Sequence, residues 1–218
     1  KDKKPMKIDT DHTCPLSETQ RRIWFFEKMN HQTAVYNMCF VAKLSAMPNI
    51  NWIKQALDVL TQRHHSLRTV FKLDDQNQPQ QYIKNKSTIA FHHIKCPSKT
   101  LHSTLLKWSQ APFNLTTGPL CKMILLETTK EIRLFINMQH LIGDGWSISI
   151  FFKEFNHLYN AYHQGIKPSL PLLTQQYHHY ILWQGAQEKS SAYQHKLQHW
   201  LSHLTYCHHP VSFPLDFQ

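Results

Sequence analysis

The chain has 218 residues, 41% hydrophobic and 12% aromatic, enough apolar content for a packed core and too much for a disordered chain. Lys and Arg outnumber Asp and Glu by 24 to 14, a formal charge of +10. The basic residues are dispersed apart from Lys1 to Lys7, and no RNP, zinc-finger or helix-turn-helix pattern accompanies them, so a solvated basic surface is expected rather than a nucleic-acid interface. The longest apolar runs fall far short of a membrane span, and no apolar segment follows the basic start, so neither membrane insertion nor a signal peptide is expected. The chain opens on Lys1 rather than Met, which suggests a piece of a longer protein. Cys14, Cys39, Cys96, Cys121 and Cys207 are scattered, odd in number and without a CxxC pair, which suits reduced thiols in a cytoplasmic chain.

In chain order, residues 1–13 are polar and charged and read as a linker or frayed terminus. Ser17 is placed to cap a helix, with Glu18 and Gln20 in its first turn and Trp24 in the core. Tyr36 to Leu44 is a strand candidate. Pro48 to Gln62 carries Ile50, Ile53, Ala56, Leu57 and Leu60, a helical stripe. Thr69–Leu73 and Gln80–Lys84 read as a hairpin, Ala90–Lys95 as a strand, and Leu101–Trp108 as a helix. Asn114 sits in a turn. Cys121–Thr128 and Glu131–His140 read as adjacent strands.

The second of these strands alternates Ile132, Leu134, Ile136 and Met138, a period of two. It delivers Gln139, His140, Gly143, Asp144 and Gly145 to a short turn. Apolar residues then recur at Ile148, Phe151, Phe152, Phe155, Leu158, Tyr159 and Tyr162, one stripe of a helix that Gly165 would close. Asp144 is placed to cap that helix. Gly143 and Gly145 allow backbone angles that other residues avoid, and let a ligand approach the main chain closely. The positive end of the helix would favour a developing oxyanion. The alternative is a capped helix after a strand, with His140 merely bonded in the core.

His140-x-x-x-Asp144-Gly145 resembles the HxxxDG signature of chloramphenicol-acetyltransferase-like acyltransferases. Trp146-Ser147 narrows the likeness to condensation domains of nonribosomal peptide synthetases, which usually read His-His-x-x-x-Asp-Gly; Gln139 stands where the first His is usual. Leu16-Ser17-Glu18-Thr19-Gln20-Arg21-Arg22-Ile23-Trp24-Phe25 looks like the opening motif of these domains, with Thr19 for Ala. Arg63-His64-His65-Ser66-Leu67-Arg68-Thr69-Val70-Phe71 resembles their second motif at every fixed position. Pro112-Phe113-Asn114-Leu115 to Leu120, Gln176-Tyr177, Trp183-Gln184 and Phe213-Pro214-Leu215-Asp216 continue the likeness.

The resemblance implies an α/β (α+β) sandwich, a mixed sheet packed with helices, with residues 14–218 forming the N-terminal lobe of a condensation domain whose C-terminal lobe is absent. It implies an acyltransferase that forms an amide by attack of a carrier-bound amine on a carrier-bound acyl thioester; the opening motif favours an L-configured donor. His140 is then the catalytic residue, while Gly145, Gln139, Trp146 and Ser147 position substrate. Asp144 is a structural counter-ion, paired with Arg68 or, second, Arg63. No directly bound cofactor is expected: the substrates arrive on phosphopantetheine arms of donor and acceptor carrier proteins. The missing lobe and an adjacent adenylation domain are the other expected partners. Competing readings are an ester-forming HxxxDG acyltransferase and a non-enzymatic docking or scaffold lobe.

Seventeen His residues are unusual. His195, His199, His203 and Cys207 follow at four-residue steps on an expected helix. Such steps drift around a helix of 3.6 residues per turn, so only neighbours align, and with no HExxH a His-rich surface is expected rather than a metal site.

Overall fold

The computed structural model describes residues 13–30, 33–206 and 214. In chain order they form β1 (Thr13–Pro15), α1 (Glu18–Met29), β2 (Asn37–Leu44), α2 (Ile50–Arg63), β3 (Thr69–Leu73), β4 (Pro79–Ile83), β5 (Ala90–Lys95), α3 (Leu101–Ser109), β6 (Cys121–Glu127), β7 (Ile132–Gln139), α4 (Gly145–His163), α5 (Tyr177–Glu188) and α6 (Ser191–Leu204). The expected linker lies mostly outside the described residues; its last member, Thr13, is the first residue of β1 and pairs with Tyr82. The motif at Phe213 to Asp216 and the thiol of Cys207 also lie outside them, apart from an exposed Pro214.

Two sheets organise the chain. A four-stranded mixed sheet runs β2-β7-β6-β5, antiparallel except where β5 and β6 pair in parallel across α3. An antiparallel three-stranded sheet runs β1-β4-β3. The period-two alternation sorts side chains to the two faces of the larger sheet. Met123 and Leu125 of β6, with Leu134, Ile136 and Met138 of β7, join Ile53, Leu57 and Leu60 of α2 and Ile148, Phe151, Phe155 and Leu158 of α4 in the main core. Ile124, Leu126 and Phe135 face the other way and meet Leu101 of α3. β6 and β7 are thus buried on both faces, and the strand that leads to the His140 turn runs through the core.

Local chemistry sets the helix ends. Asn49 caps α2 through its side chain, which accepts from the Asn51 and Trp52 amides. At the far end of α4, Gly165 takes φ +68, and Ile166 N donates to Ala161 O, a left-handed helix stop that a side chain would strain. The two helices are tied at one end by an edge-to-face contact of Trp52 on Tyr159, with ring centroids 5.7 Å apart. At the other end, both Glu154 carboxylate oxygens accept from Arg63 Nε, and His64 Nε2 lies 2.6 Å from Oε2. α6 is different. α6 buries none of its residues, and Leu197, Trp200, Leu201 and Leu204 stand exposed along it.

Candidate active site

β7 ends on Gln139, and the chain turns through residues 140–144 into α4. The peptides at the start of that turn are held one by one. Gln139 N donates to Leu120 O at 2.9 Å, His140 N to Tyr36 O at 2.9 Å, and Ile142 N to Gln139 O at 3.1 Å. The Leu141 amide donates to the side-chain Oε1 of Gln139 at 3.0 Å. The Leu141 carbonyl accepts from Gln20 Nε2 at 2.9 Å. Gln20 belongs to the first turn of α1, where it forms a capping box with Ser17, so one side chain both starts α1 and anchors the turn.

The His140 ring is half-buried, and the aromatic edge of Tyr36 lies beside it with centroids 6.4 Å apart. It lines a cleft of about 270 Å³ together with Thr19, Gln20, Ile23, Ser66, Tyr177 and the turn itself. His140 thus lines a groove and is only half-buried, so it is not sealed in the core. A smaller cavity of about 120 Å³ lies behind the turn, between Ser66, Leu67, Met138, Ile142, Ser147 and Phe151.

Asp144 caps α4 as expected: its Oδ1 accepts from Ser147 N at 2.8 Å and Ser147 Oγ at 2.6 Å. These bonds from Ser147 hold its carboxyl below the usual range, and the His140 ring adds a smaller Coulombic pull. The expected pairing with Arg68 or Arg63 does not form. Arg68 Nη1 donates to the Lys84 carbonyl at 2.6 Å instead, and burial lowers the guanidinium's pKa. Arg63 is engaged by Glu154. Both arginines are engaged by partners outside the turn, Arg68 by the Lys84 carbonyl and Arg63 by Glu154, while Asp144 turns one oxygen to the helix it begins. The cap also changes the expected oxyanion site. A carboxylate already occupies the positive end of α4, so a second negative charge gains less there.

The two turn glycines do not use the backbone freedom that glycine allows. Neither Gly143 nor Gly145 has a positive φ, and the positive-φ glycines among the described residues are Gly118 and Gly165. At Gly143 the constraint is space: a Cβ would lie 2.8 Å from Met138 Sδ and 3.2 Å from Ser147 Cβ. At Gly145 a Cβ would meet nothing within 4 Å. Trp146 is 78% exposed and outside the cleft lining, while Ser147 lines the cleft and serves the cap.

Gln139 is 1% exposed. Its Nε2 donates to Glu27 Oε1 at 2.8 Å across to α1. Burial raises the Glu27 pKa, and the Gln139 bond partly offsets that. Glu27, Gln20, Ser66 and Tyr177 are site residues that the motifs do not single out for the turn. Tyr177 Oη donates to Ser17 Oγ at 3.0 Å, and this contact between α5 and the start of α1 closes one side of the cleft.

Among the described residues no group of three or more His, Cys, Asp or Glu is placed to hold a metal. The His199 and His203 rings meet at 4.4 Å on α6. No helix among the described residues is long and apolar enough to cross a membrane.

Comparison with known proteins agrees with this geometry. The Condensation domain family model matches residues 10–218. The chain is 30% identical over 217 residues to a linear gramicidin synthase of Brevibacillus parabrevis, covering 96% of this chain and 3% of that one. It is 34% identical over 200 residues to malpibaldin synthetase of Mortierella alpina, covering 86% and 4%. Among solved structures, the starter condensation domain of rhizomide synthetase superposes with a TM-score of 0.79 at 20% identity, covering 91% of this chain and 49% of that one. The epimerization domain from the third module of tyrocidine synthetase B gives 0.80 at 20% identity, covering 97% and 49%. The chain thus spans a few per cent of the length of the synthetases it matches and about half of the solved domains. The fold, one mixed and one antiparallel sheet packed with six helices among the described residues, is that of the solved condensation domains, and the chain belongs to the condensation-domain family of nonribosomal peptide synthetases.

Proposed function

We propose that this chain is the N-terminal, His140-bearing half of an amide-forming condensation domain, and that a second half closes the cleft. The carrying observation is the placement of His140 on a groove of about 270 Å³ that Gly143, Asp144 and Ser147 of the same turn also line. The half-domain reading draws support from the coverage of about half of the solved domains. It also explains the apolar row on α6, which finds no cover among the described residues. In the whole domain that row is the seam of the second half.

In the reaction, an acceptor amine nitrogen attacks the carbonyl carbon of a donor thioester. A C–N bond forms, the C–S bond breaks, and the proton lost from nitrogen goes to the departing thiol. Both reactants arrive on phosphopantetheine arms of carrier proteins. A free α-amine titrates near ~8, so a useful fraction is neutral at pH 7 without a strong base. His140 orients the amine or the tetrahedral intermediate and shuttles the proton; Gly145 leaves room for the acceptor arm. Holding two tethered groups together supplies several kcal/mol of the barrier reduction. The donor is L-configured, on the spelling of residues 16–25.

The solved relatives include an epimerization domain and the X-domain of teicoplanin biosynthesis, so the fold does not choose the chemistry. The test does. The chain is combined with its complementary half and two loaded carrier proteins, and the acceptor carrier is examined by intact mass spectrometry. A dipeptidyl thioester supports the proposal. An ester, formed only with a hydroxyl acceptor, or no product beyond bound carrier, overturns it in favour of an ester-forming enzyme or a docking lobe respectively.

A further inference from the structure

The direction of an imidazole on a turn is set by the peptides on either side of it. Before His140, the peptide N–H is taken by Tyr36 O. After it, the Leu141 N–H is taken by the side chain of Gln139. That side chain has a second bond, from Nε2 to the Glu27 carboxylate at 2.8 Å. The two bonds also fix which end of the amide is which. Leu141 N–H requires the oxygen, so the nitrogen must face Glu27. Glu27 is anchored on α1, the same helix whose Gln20 holds the Leu141 carbonyl. Leu141, the residue after His140, is therefore held at its carbonyl by Gln20 of α1 and at its N–H by a Gln139 side chain that Glu27 of α1 anchors.

We infer that Gln139 and Glu27 form a positioning pair for His140, in which one acceptor toward Leu141 and one donor toward a carboxylate are the only chemical requirements at position 139. A neutral imidazole also offers one acceptor and one donor, so the same demand is met by the His usual in this family and by the Gln found here. Titration at position 139 plays no part. This inference rests on the amide-forming reading given above.

An exchange of charge tests it in the parent synthetase module with both carriers loaded. Gln139→Glu keeps the acceptor but sets two carboxylates where a 2.8 Å hydrogen bond stood. Turnover should fall about 10²-fold, the cost of roughly an ångström of misplacement. Adding Glu27→Gln returns a donor from the opposite side, and the double variant should recover to within about tenfold of wild type. A residue serving only packing volume would not be rescued by that exchange. Active wild type with no rescue overturns the inference. Wild type without product overturns the functional reading instead, and hydrogen exchange on wild type and a Gln139→Leu variant then decides the inference. Gln139→Leu should speed exchange at Leu141 while Ile136 in β7 stays protected. Unchanged exchange at Leu141 overturns it.

Discussion

Replacing Asp144 separates two accounts of the turn that carries His140. If Asp144 were held by a buried arginine, its loss would strand that charge and cost about 3–5 kcal/mol. The structure gives it a different job: it is exposed, it caps α4, and both bonds to its Oδ1 come from Ser147. Loss of such a cap costs about 0.5–2 kcal/mol. Asp144→Ala should therefore lower the urea-unfolding free energy by that smaller amount, and Asp144→Asn should restore most of it, because an amide oxygen caps nearly as well. The pH dependence has a definite sign. The folded carboxyl titrates below its ordinary value, chiefly through Ser147. Its stabilisation is present above about pH 4, the unfolded value. It is lost as pH falls through the lower folded value. That acid limb should be absent from Asp144→Asn. The Arg68→Ala and Asp144→Ala costs should add within about 0.5 kcal/mol, since the two share no bond. A cost near 4 kcal/mol for Asp144→Ala, or strong coupling to Arg68, would refute the capping role; the first figure is that of a broken buried ion pair.

Three further expectations follow from the same geometry. Glu154→Ala should destabilise by about 1.5–3 kcal/mol in urea, more than Asp144→Ala, because Glu154 takes charged hydrogen bonds from Arg63 in a site 14% exposed; a smaller cost than the cap would contradict this. The two glycines should divide: Gly143→Ala costs about 1–3 kcal/mol by crowding Met138 and Ser147. Gly145→Ala leaves the unfolding midpoint in place and slows amide formation, which paired unfolding and turnover measurements would show. Burial pushes the Cys14 thiol up to about 11 and raises Cys121 further. Both should react with a disulfide reagent more slowly than the partly exposed Cys96 in native protein, and equal native rates would count against the packing described.

Much of the fold is legible in the residues because its signals are local. The alternation from Ile132 to Met138, the stripe from Ile148 to Leu158, and the caps at Ser17 and Asp144 depend on nearest neighbours, and the structure reproduces each. Pairings across the chain are not legible in this way. Arg68 stands in a motif beside His65 and Leu67, yet its partner is the Lys84 carbonyl, fixed by how β3 meets β4. Glu27 lies 112 positions from Gln139, and no spacing rule connects them. Gln20 marks a helix start from its neighbours alone; its second bond, to the turn, exists only once α1 packs beside β7. Glycine at both turn positions suggests a backbone device, whereas packing at Gly143 and open space at Gly145 are the reasons the structure supplies.

The most direct test is a single-turnover comparison of wild type and His140→Ala in the parent module, with both carriers loaded and transfer followed by intact mass. Wild type should give dipeptidyl thioester, and the variant a rate at least about 10²-fold lower at unchanged carrier binding. Equal rates would contradict the role given to His140, because the groove would then be doing its chemistry without the ring that lines it.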